Sequence, residues 1–506
     1  MTLLIVAGVM AAVGVMYVTS QKELAPEEDQ GILFNIVKVS QSANLDYLEQ
    51  TTTELNKVFD TVPEKEHVFL INGMGGDVRM AIAGILFKPW EERKRTQKQI
   101  LESLQPKLGG IAGGLAISFP LPSLPGAAGG GPPVQFVVQT TADYQQLSQV
   151  LAELQAEATK SGMFIFTDTD LKFQTPQVEL KIDHDKANSL GVKMSDIGGS
   201  LATLLGGNYV NRFNLYGRSY QVIPQVPRDF RLTPEWLKRY QVRTTAGALV
   251  PLSSVATVAE SVQPNALTSF QQLNSATLQG VPFPGRTIGE AVDFLKATAA
   301  QKLPEGFSYD FQGESRQYVQ EGGTLVVTFI FALIIIYLVL AAQYESFRDP
   351  LIILIALPTA IFGALIPINL GLASINIYTQ VGLVTLIGLI SKHGILMVDY
   401  ANHLQENEGL DRRQAIQRAA AIRLRPILMT TAAMVVGMVP LLIASGAGAA
   451  SRYSIGLVIA AGMTIGTIFT LFVTPAVYTY VAREHRAHGA ARSEGGQPGG
   501  ATAPAE

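Results

Sequence analysis

The sequence predicts an α+β integral membrane protein with six transmembrane helices and one large extramembrane region. Three observations predict this fold class. The 506 residues are 48% hydrophobic and only 16% charged, whereas soluble domains contain about 25% charged residues. Six segments are apolar and long enough to span a bilayer. Between the first and second of them, residues 19–323 form a polar block in which strand and helix patterns alternate.

The apolar segments approach the roughly 20 residues that a spanning helix needs. They are residues 2–18, 324–342, 351–370, 377–398, 427–447 and 455–481. A secretory signal peptide is the alternative for the first segment, but no charged residue precedes it and no small-x-small cleavage site follows. We therefore expect a first transmembrane helix at 1–19 and a five-helix transmembrane bundle at 317–482.

Arginine residues set the expected orientation. Segment 402–426, expected to be a loop, contains five of them, and two more lie at the start of the tail. Arg- and Lys-rich loops face the cytoplasm. Two spans separate this loop from the tail, so both lie on the cytoplasmic face, and three spans separate it from the polar block, which faces outward. The tail at 483–506 has the Ala, Gly, Glu and Pro content of a disordered segment.

The polar block contains the patterns of small mixed domains. Residues 133–140 and 177–185 alternate polar and apolar side chains, which indicates strands, and 142–158 carries apolar residues at helical spacing. Units of strand, helix and strand of this length predict split βαβ subdomains. The Gly- and Pro-rich stretch at 119–134 is typical of a linker between two of them.

Signatures of enzymes and cofactors are lacking in the sequence. It contains no Walker-type phosphate loop, no HExxH and no GxSxG motif. It has no cysteine, which excludes disulfides, thiolate metal sites and a cysteine nucleophile. The net charge of -3, without a basic cluster, gives no indication of nucleic-acid binding. We therefore expect no enzymatic activity, no cofactor and no metal site.

Charged residues within the spans are the unusual chemical feature. Lys392 lies deep in segment 377–398, where inserting a charge costs roughly 2.5 to 3.5 kcal/mol. Either its long side chain reaches water, or it is a buried ammonium that faces other helices and pairs with a carboxylate protonated by an ion gradient. Asp399 shares the helix face of Lys392 but lies near the cytoplasmic end, where we expect a solvated cap. His393 points about 100° away.

The next span carries a second polar pair. Arg423 and Thr430 are seven residues apart and share one helix face, with Arg423 near the cytoplasmic end. The Thr430 hydroxyl either relays a proton or bonds the backbone of its own helix.

Five passages resemble one transporter family. Segments 381–401 and 423–449 are similar to the tenth and eleventh spans of resistance-nodulation-division (RND) multidrug efflux permeases of Gram-negative bacteria. Segments 24–31, 205–222 and 341–350 are similar to other parts of these permeases. The resemblance extends to about residue 482 and matches only the carboxy-terminal half of the family, from its seventh span to its twelfth.

The resemblance implies a function and partners. Such permeases are trimers in the bacterial inner membrane that exchange protons for hydrophobic or amphiphilic drugs and export them through a periplasmic adaptor protein and an outer-membrane channel. Lys392 matches the lysine that pairs with two aspartates of the fourth span, and Arg423 and Thr430 match residues of the same proton relay. Those aspartates belong to the amino-terminal half, so a complementary half is an expected partner. Protons are the expected coupling ion.

The resemblance also implies subdomains in the polar block, which then faces the periplasm. We expect a first porter subdomain at 20–130, a second at 131–175 and 259–316, and a docking subdomain inserted at 176–258. The residues that match the family's drug pocket are Phe69, Ile71, Met74 and Phe119. The alternative for each is an apolar core side chain, because pockets and cores have the same composition.

Alternatives of function remain open. Export of a metal ion or a lipid is one, although Met74 and Met80 do not make a convincing set of metal ligands. A half-permease that does not transport, and instead assembles with or modulates a complementary half, is the other. Because the chain matches only one half of the family, we expect it to be a fragment, the product of a split gene, or a reading frame with a misplaced start.

Overall fold

The computed structural model describes residues 2–73, 77–124, 131–264 and 266–484. Two compact units are present. One contains Met1–Asp170 together with Thr268–Glu506, and the other contains Leu171–Leu267.

The described ranges fold into helices and short strands. The helices are α1 Thr2–Thr19, α2 Leu45–Asp60, α3 Gln97–Gly109, α4 Tyr144–Lys160, α5 His184–Ser189, α6 Met194–Leu204, α7 Ile288–Lys302, α8 Gly313–Tyr344, α9 Asp349–Leu354, α10 Leu357–Asn369, α11 Ile377–Glu408, α12 Arg412–Gly437, α13 Val439–Leu442 and α14 Ala449–Val481. The strands are β1 Ile32–Val39, β2 Lys65–Asn72, β3 Met80–Phe87, β4 Gly114–Pro120, β5 Val134–Thr140, β6 Phe164–Thr169, β7 Thr175–Ile182, β8 Asn211–Leu215, β9 Arg218–Val222, β10 Gln241–Arg243, β11 Leu249–Pro251, β12 Ala256–Gln263, β13 Thr268–Phe270, β14 Leu273–Pro282 and β15 Phe307–Phe311.

Five helical segments in the described ranges are long and apolar enough to cross a membrane. They are α8, α9 with α10, α11, α12 with α13, and α14. Five predicted spans thus have a helix of sufficient length, whereas the first falls on the shorter apolar helix α1 and stays a prediction. The break between α9 and α10 precedes Pro358, which has no N–H to donate to the carbonyl four residues earlier.

Most of segment 402–426, expected to be a loop, is helical, and its cytoplasmic location stays a prediction. Helix α11 continues to Glu408 and α12 begins at Arg412, so only residues 409–411 are not helical. Gly409 ends α11 in the left-handed conformation, and Asp411 caps α12 by accepting a hydrogen bond from the Arg413 amide. Two strong capping signals decide these ends. The falling hydropathy that favoured a loop marks the end of the apolar segment and not the end of the helix.

The first sheet is formed by β1 to β4 with α2 and α3 in the connections. Its strands lie in the order β2, β3, β1, β4, and every neighbouring pair is antiparallel. Both helices cover the same face of the sheet, where Leu33, Ala83 and Ile85 pack against Leu55 and Leu104. The opposite face is left without a helix of its own.

The second sheet repeats this order. Strands β5, β6, β14 and β15 follow one another with α4 and α7 in the corresponding connections, and they lie in the order β6, β14, β5, β15. Strand β13 pairs with β14 in addition. The chain leaves this sheet after β6, passes through residues 171–267, and returns to it.

The apolar helices pack closely where glycines allow it. A Cβ added at Gly462 of α14 would lie 2.3 Å from a side-chain methyl of Leu386, and one at Gly466 would lie 2.7 Å from the Cβ of Ala360. Small residues at such crossings let helix backbones approach one another inside a membrane. Helix α14 therefore packs tightly against both α10 and α11.

The unit of residues 171–267 has its own small core. Strands β7 and β12 form an antiparallel pair, and Ile197 of α6 packs with Val192, Val242 and Val255. Strands β8 and β9 form an exposed hairpin whose turn residues, Tyr216 and Gly217, both have positive φ. Two successive residues with positive φ match the twist of the flanking strands.

Candidate functional site

Lys392 lies on the exposed side of α11. Together with Val381, Thr385, Gly388 and Asp399 it forms a stripe of exposed residues along one face of this helix, which we call the α11 stripe. Within the described part of the chain no carboxylate lies within 4 Å of the Lys392 ammonium. Lys392 is therefore exposed in this chain by itself, so its pairing with carboxylates of a complementary half stays a prediction, and Asp399 is exposed as well.

Arg423 and Thr430 lie on the neighbouring helix. The Arg423 guanidinium lies 4.6 Å from the centre of the Tyr400 ring of α11, and its buried Nε has no hydrogen-bond partner among the described residues. The Thr430 hydroxyl donates to the backbone of its own helix, with oxygen distances of 3.0 Å to Pro426 and 2.9 Å to Ile427. Of the two alternatives for Thr430, backbone bonding is the one observed.

A buried polar cluster behind the α11 stripe was not predicted. His393 is fully buried, and its Nε2 and Nδ1 atoms each lie 3.4 Å from a hydroxyl, of Thr431 on α12 and Thr467 on α14 respectively. The two hydroxyls are 3.1 Å apart. Because neutral histidine carries one donor and one acceptor nitrogen, the three groups can satisfy each other. The sequence contained one hint, since His393 points away from the face of Lys392.

Three of the four predicted pocket residues share one face of the first sheet. Phe119, Phe34 and Gly84 are paired across β4, β1 and β3, and Phe69 of β2 is paired with Gly84. The Phe69 ring covers Gly84 and contacts Phe34 edge to face, with ring centres 5.6 Å apart. Ile71 follows two residues after Phe69 and is 47% exposed. This is the face opposite the helices, so these residues do not belong to the core that α2 and α3 cover.

The same face contacts the second sheet. Ile117 of β4 packs with Phe166 of β6 and Val281 of β14. Lys38 of β1 forms an ion pair with the nearly buried carboxylate of Asp168 on β6, at 2.5 Å. The aromatic face therefore borders a junction between the two sheets, a position that strand alternation alone does not reveal. Met74, the fourth predicted pocket residue, lies outside the described residues.

Acidic residues in the segment between α1 and β1 hold the ends of other helices. The Glu28 carboxylate accepts hydrogen bonds from the amides of Ala450 and Ser451 at the start of α14, at 3.2 and 2.7 Å, and from the Ser451 hydroxyl. Asp29 accepts from the first amide of α3, that of Gln97, at 2.9 Å, and forms an ion pair with Arg93. Carboxylates are stabilising at helix N-termini because unpaired amides concentrate positive charge there.

No metal site emerges from these groups. In the ranges that the structure describes, no three His, Cys, Asp or Glu side chains come close enough together to hold a metal ion. The Lys392 ammonium, the Arg423 guanidinium and the threonine hydroxyls described above suit proton handling and ion pairing better than metal coordination.

Comparison with known proteins identifies the family. Residues 1–482 match the AcrB/AcrD/AcrF family. The chain is 44% identical over 470 residues to an uncharacterized transporter of Haemophilus influenzae, covering 92% of this chain and 45% of that protein. It is 32% identical over 495 residues to the multidrug export protein AcrF of Escherichia coli K12, covering 95% of this chain and 47% of AcrF.

A further relative is the multidrug/solvent efflux pump membrane transporter MepB of Pseudomonas putida, 31% identical over 465 residues, covering 90% of this chain and 44% of MepB. The chain thus spans about half the length of the curated relatives it matches. The matched range includes all the described membrane helices and both sheets. The chain belongs to the AcrB/AcrD/AcrF family of RND permeases.

Proposed function

We propose that the chain is the carboxy-terminal half of a proton-driven RND efflux permease of the bacterial inner membrane. It exports hydrophobic and amphiphilic compounds from the membrane and periplasm, as part of a trimer that works with an adaptor protein and an outer-membrane channel. Protons are the coupling ion, and no cofactor takes part. The names of the relatives AcrF and MepB support export of drugs and solvents.

The α11 stripe is the observation that carries this proposal. It places an ammonium, a carboxylate, a hydroxyl and a glycine on the outside of an apolar bundle. Charged groups facing lipid are costly, and small residues favour helix contact. The stripe is therefore suited to packing against helices of a complementary half, whose carboxylates would pair with Lys392. The complementary half is on the same polypeptide or on a second one.

Proton coupling then follows from the chemistry of the ion pair. An ammonium in a medium of low dielectric constant holds a facing carboxylate in its ionised form, and protonation of that carboxylate releases the ammonium. A charge left without its partner is costly to bury, so the helices shift to a second arrangement. Arg423, with its unpaired Nε at the α11 to α12 contact, is positioned to join this exchange.

The aromatic face of the first sheet is the proposed site of substrate contact. Phe34 and Phe69 offer flat apolar surface at the border of the two sheets, Phe119 is buried next to Phe34, and Ile71 is exposed beside Phe69. Pockets for drug-like molecules are lined mainly by apolar and aromatic side chains.

Lys392→Ala in the assembled transporter tests the proposal. Dye efflux driven by a proton gradient is measured in cells that lack other pumps, with and without the complementary half. We expect the wild type to need that half, and Lys392→Ala to reduce efflux to the level of cells without the pump while membrane insertion and trimer formation persist. Lys193→Ala, an exposed lysine of the unit 171–267, is the matched control and should retain efflux.

Retained efflux in Lys392→Ala would refute the role of this lysine. An effect of the chain on a partner without substrate flux of its own would favour the modulator alternative instead. The mass of the native polypeptide, detected with an antibody against residues 176–258, would show whether both halves belong to one chain.

A further inference from the structure

The segment that follows α1 is paired with the residues that precede α11. The Ile375 amide donates to the Gln21 carbonyl at 2.8 Å, the Glu23 amide donates to the Ile375 carbonyl at 3.1 Å, and the Ile377 amide donates to the Leu24 carbonyl at 3.1 Å. These bonds form a short parallel pairing between the segment after α1 and the residues just before α11. A displacement of one segment is therefore transmitted to the other.

Side-chain hydrogen bonds continue this pairing into the helix. The Ser374 hydroxyl donates to the Glu23 carboxylate and accepts from the side-chain amide of Asn376 at 2.9 Å. Asn376 is fully buried and is the N-cap of α11. Its side-chain oxygen accepts from the amides of Tyr378 and Thr379, both at 3.0 Å. One continuous chain of hydrogen bonds therefore joins Glu23 to the first turn of the helix that carries Lys392.

We propose that Glu23 is a proton-responsive positioning residue, which transmits the protonation state of the outer surface through Ser374 and Asn376 to the first turn of α11. The inference deepens the proposed function, on which its role in proton coupling rests. An ionised carboxylate only accepts hydrogen bonds, whereas the protonated carboxyl also donates one. Taking up a proton from the outer solvent removes the charge that holds the Ser374 hydroxyl and gives Glu23 a donor of its own.

The change at Ser374 reaches the helix cap. With Glu23 ionised, the Ser374 proton points to the carboxylate and its oxygen is free to accept from Asn376. With Glu23 protonated, the carboxyl can donate to that same oxygen and so competes with Asn376 for it. Asn376 then loses a partner that fixes its side chain, which loosens the cap of the first turn of α11.

The surroundings of Glu23 favour titration near neutral pH. The pKa of its carboxyl is raised to about 7, chiefly because burial removes water from the charged form and also because Glu27 is nearby. Hydrogen bonds from Ser374 and Asn376 and the ammonium of Lys98 act in the opposite direction. The titratable and charged groups near Glu23 are Lys22 and Glu27 on its own segment, Tyr17 on α1, Lys98 on α3, Glu314, Tyr318 and Glu321 on α8, and Tyr453 on α14.

The sign of the expected pH dependence follows from the raised pKa. Between pH 4.5 and 7 the folded chain holds a proton on Glu23 that an unfolded chain would release. The stability contributed by this group is therefore present at low pH and is lost as the pH rises through about 7. Glu23→Gln resembles the protonated form. The conformation of its first α11 turn should therefore equal that of the wild type at pH 5 and differ from it at pH 8.

A fluorescent label beside the first turn of α11 tests the proposal. The chain has no cysteine, so Val381→Cys provides a single exposed attachment site for a dye that is itself insensitive to pH. The full chain is reconstituted in phospholipid vesicles and titrated between pH 5 and 9. We expect one transition with a midpoint near 7, which disappears in Glu23→Gln. The matched control Glu27→Gln, on the same segment, should keep the transition and move its midpoint to lower pH, because the Glu27 charge raises the pKa of Glu23.

A second variant keeps the test decisive where Glu23→Gln does not fold. Ser374→Ala leaves the carboxyl in place but removes the hydroxyl that links it to Asn376, so the label on α11 should lose the transition. A transition that persists unchanged in either Glu23→Gln or Ser374→Ala would overturn the proposal. The label reports without any transport, so loss of the proton relay at Lys392 and failure of the Glu23 inference are separate outcomes.

Discussion

Replacing Glu28 should loosen the start of α14 and leave the rest of that helix intact. The carboxylate accepts from two backbone amides and one hydroxyl, and Glu28 is only 7% exposed. Hydrogen bonds to a charged group contribute about 1.5 to 3 kcal/mol each, and a favourable charge at a helix N-terminus contributes about 0.3 to 1 kcal/mol. These contributions overlap, so we expect Glu28→Ala to cost about 2 kcal/mol locally.

Hydrogen exchange in detergent micelles or vesicles measures this cost. A local loss of about 2 kcal/mol corresponds to about 30-fold faster exchange of the first amides of α14. Peptides covering residues 446–456 should show that acceleration, whereas peptides covering 460–475 should not change. Glu28→Gln keeps the volume and one accepting oxygen, and we expect roughly 5-fold faster exchange from a loss of about 1 kcal/mol.

Glu27→Ala is the matched control because Glu27 is the adjacent acid and is exposed. The fluorescence of Trp90, one of two tryptophans in the chain, is a second reporter of the start of α14. Its ring lies about 4 Å from the position that a Cβ on Gly446 would occupy. Equal exchange of residues 446–456 in Glu28→Ala and Glu27→Ala would show that the carboxylate does not cap α14.

Two further predictions concern the region between α1 and α8. Gly289→Ala would place a Cβ 2.3 Å from the Lys22 carbonyl oxygen, so we expect a loss of about 1 to 3 kcal/mol, seen as a lower melting temperature. Gly198→Ala, where no atom lies within 4 Å, is its control, and equal melting of the two variants would contradict the close contact. Lys38→Met should remove the Lys38 ammonium from the nearly buried Asp168 carboxylate and cost about 2 kcal/mol, less than breaking a fully buried pair because Lys38 is partly exposed. Replacing Asp168 by Leu in the same chain should recover part of that loss, and strictly additive effects in urea unfolding would exclude coupling between the two residues.

Sequence patterns predicted the apolar helices better than their ends. Segment 377–398 lies within the helix Ile377–Glu408, because a run of apolar residues is a local property. The end of that helix depends on Gly409 and on the cap at Asp411, which hydropathy does not measure. The spacing of Lys392 and Asp399 correctly placed both on one face. It did not reveal which way that face points, because this depends on the packing of α10, α12 and α14.

Sequence patterns did not predict the contacts between residues that are far apart in the chain. Glu28 and Ser451 are 423 residues apart, and Glu23 and Ser374 are 351 residues apart. Alternation in β1 and β2 predicts two faces for each strand, but only the register across the sheet brings Phe34 and Phe69 together. The imidazole of His393 meets its two hydroxyls only because three helices cross at that depth.

The segment that leaves α1 has consequences for the way this chain tolerates insertions and deletions. Within seven residues, Glu23, Glu28 and Asp29 reach toward the starts of three different helices. An inserted or deleted residue between Glu23 and Glu28 changes the distance between two anchored points by about 3.3 Å in extended chain, more than a hydrogen bond can stretch. The number of residues in this segment is therefore as constrained as the identity of its acidic side chains. Chimaeras that exchange the region between α1 and α8 among permeases should be joined outside this segment.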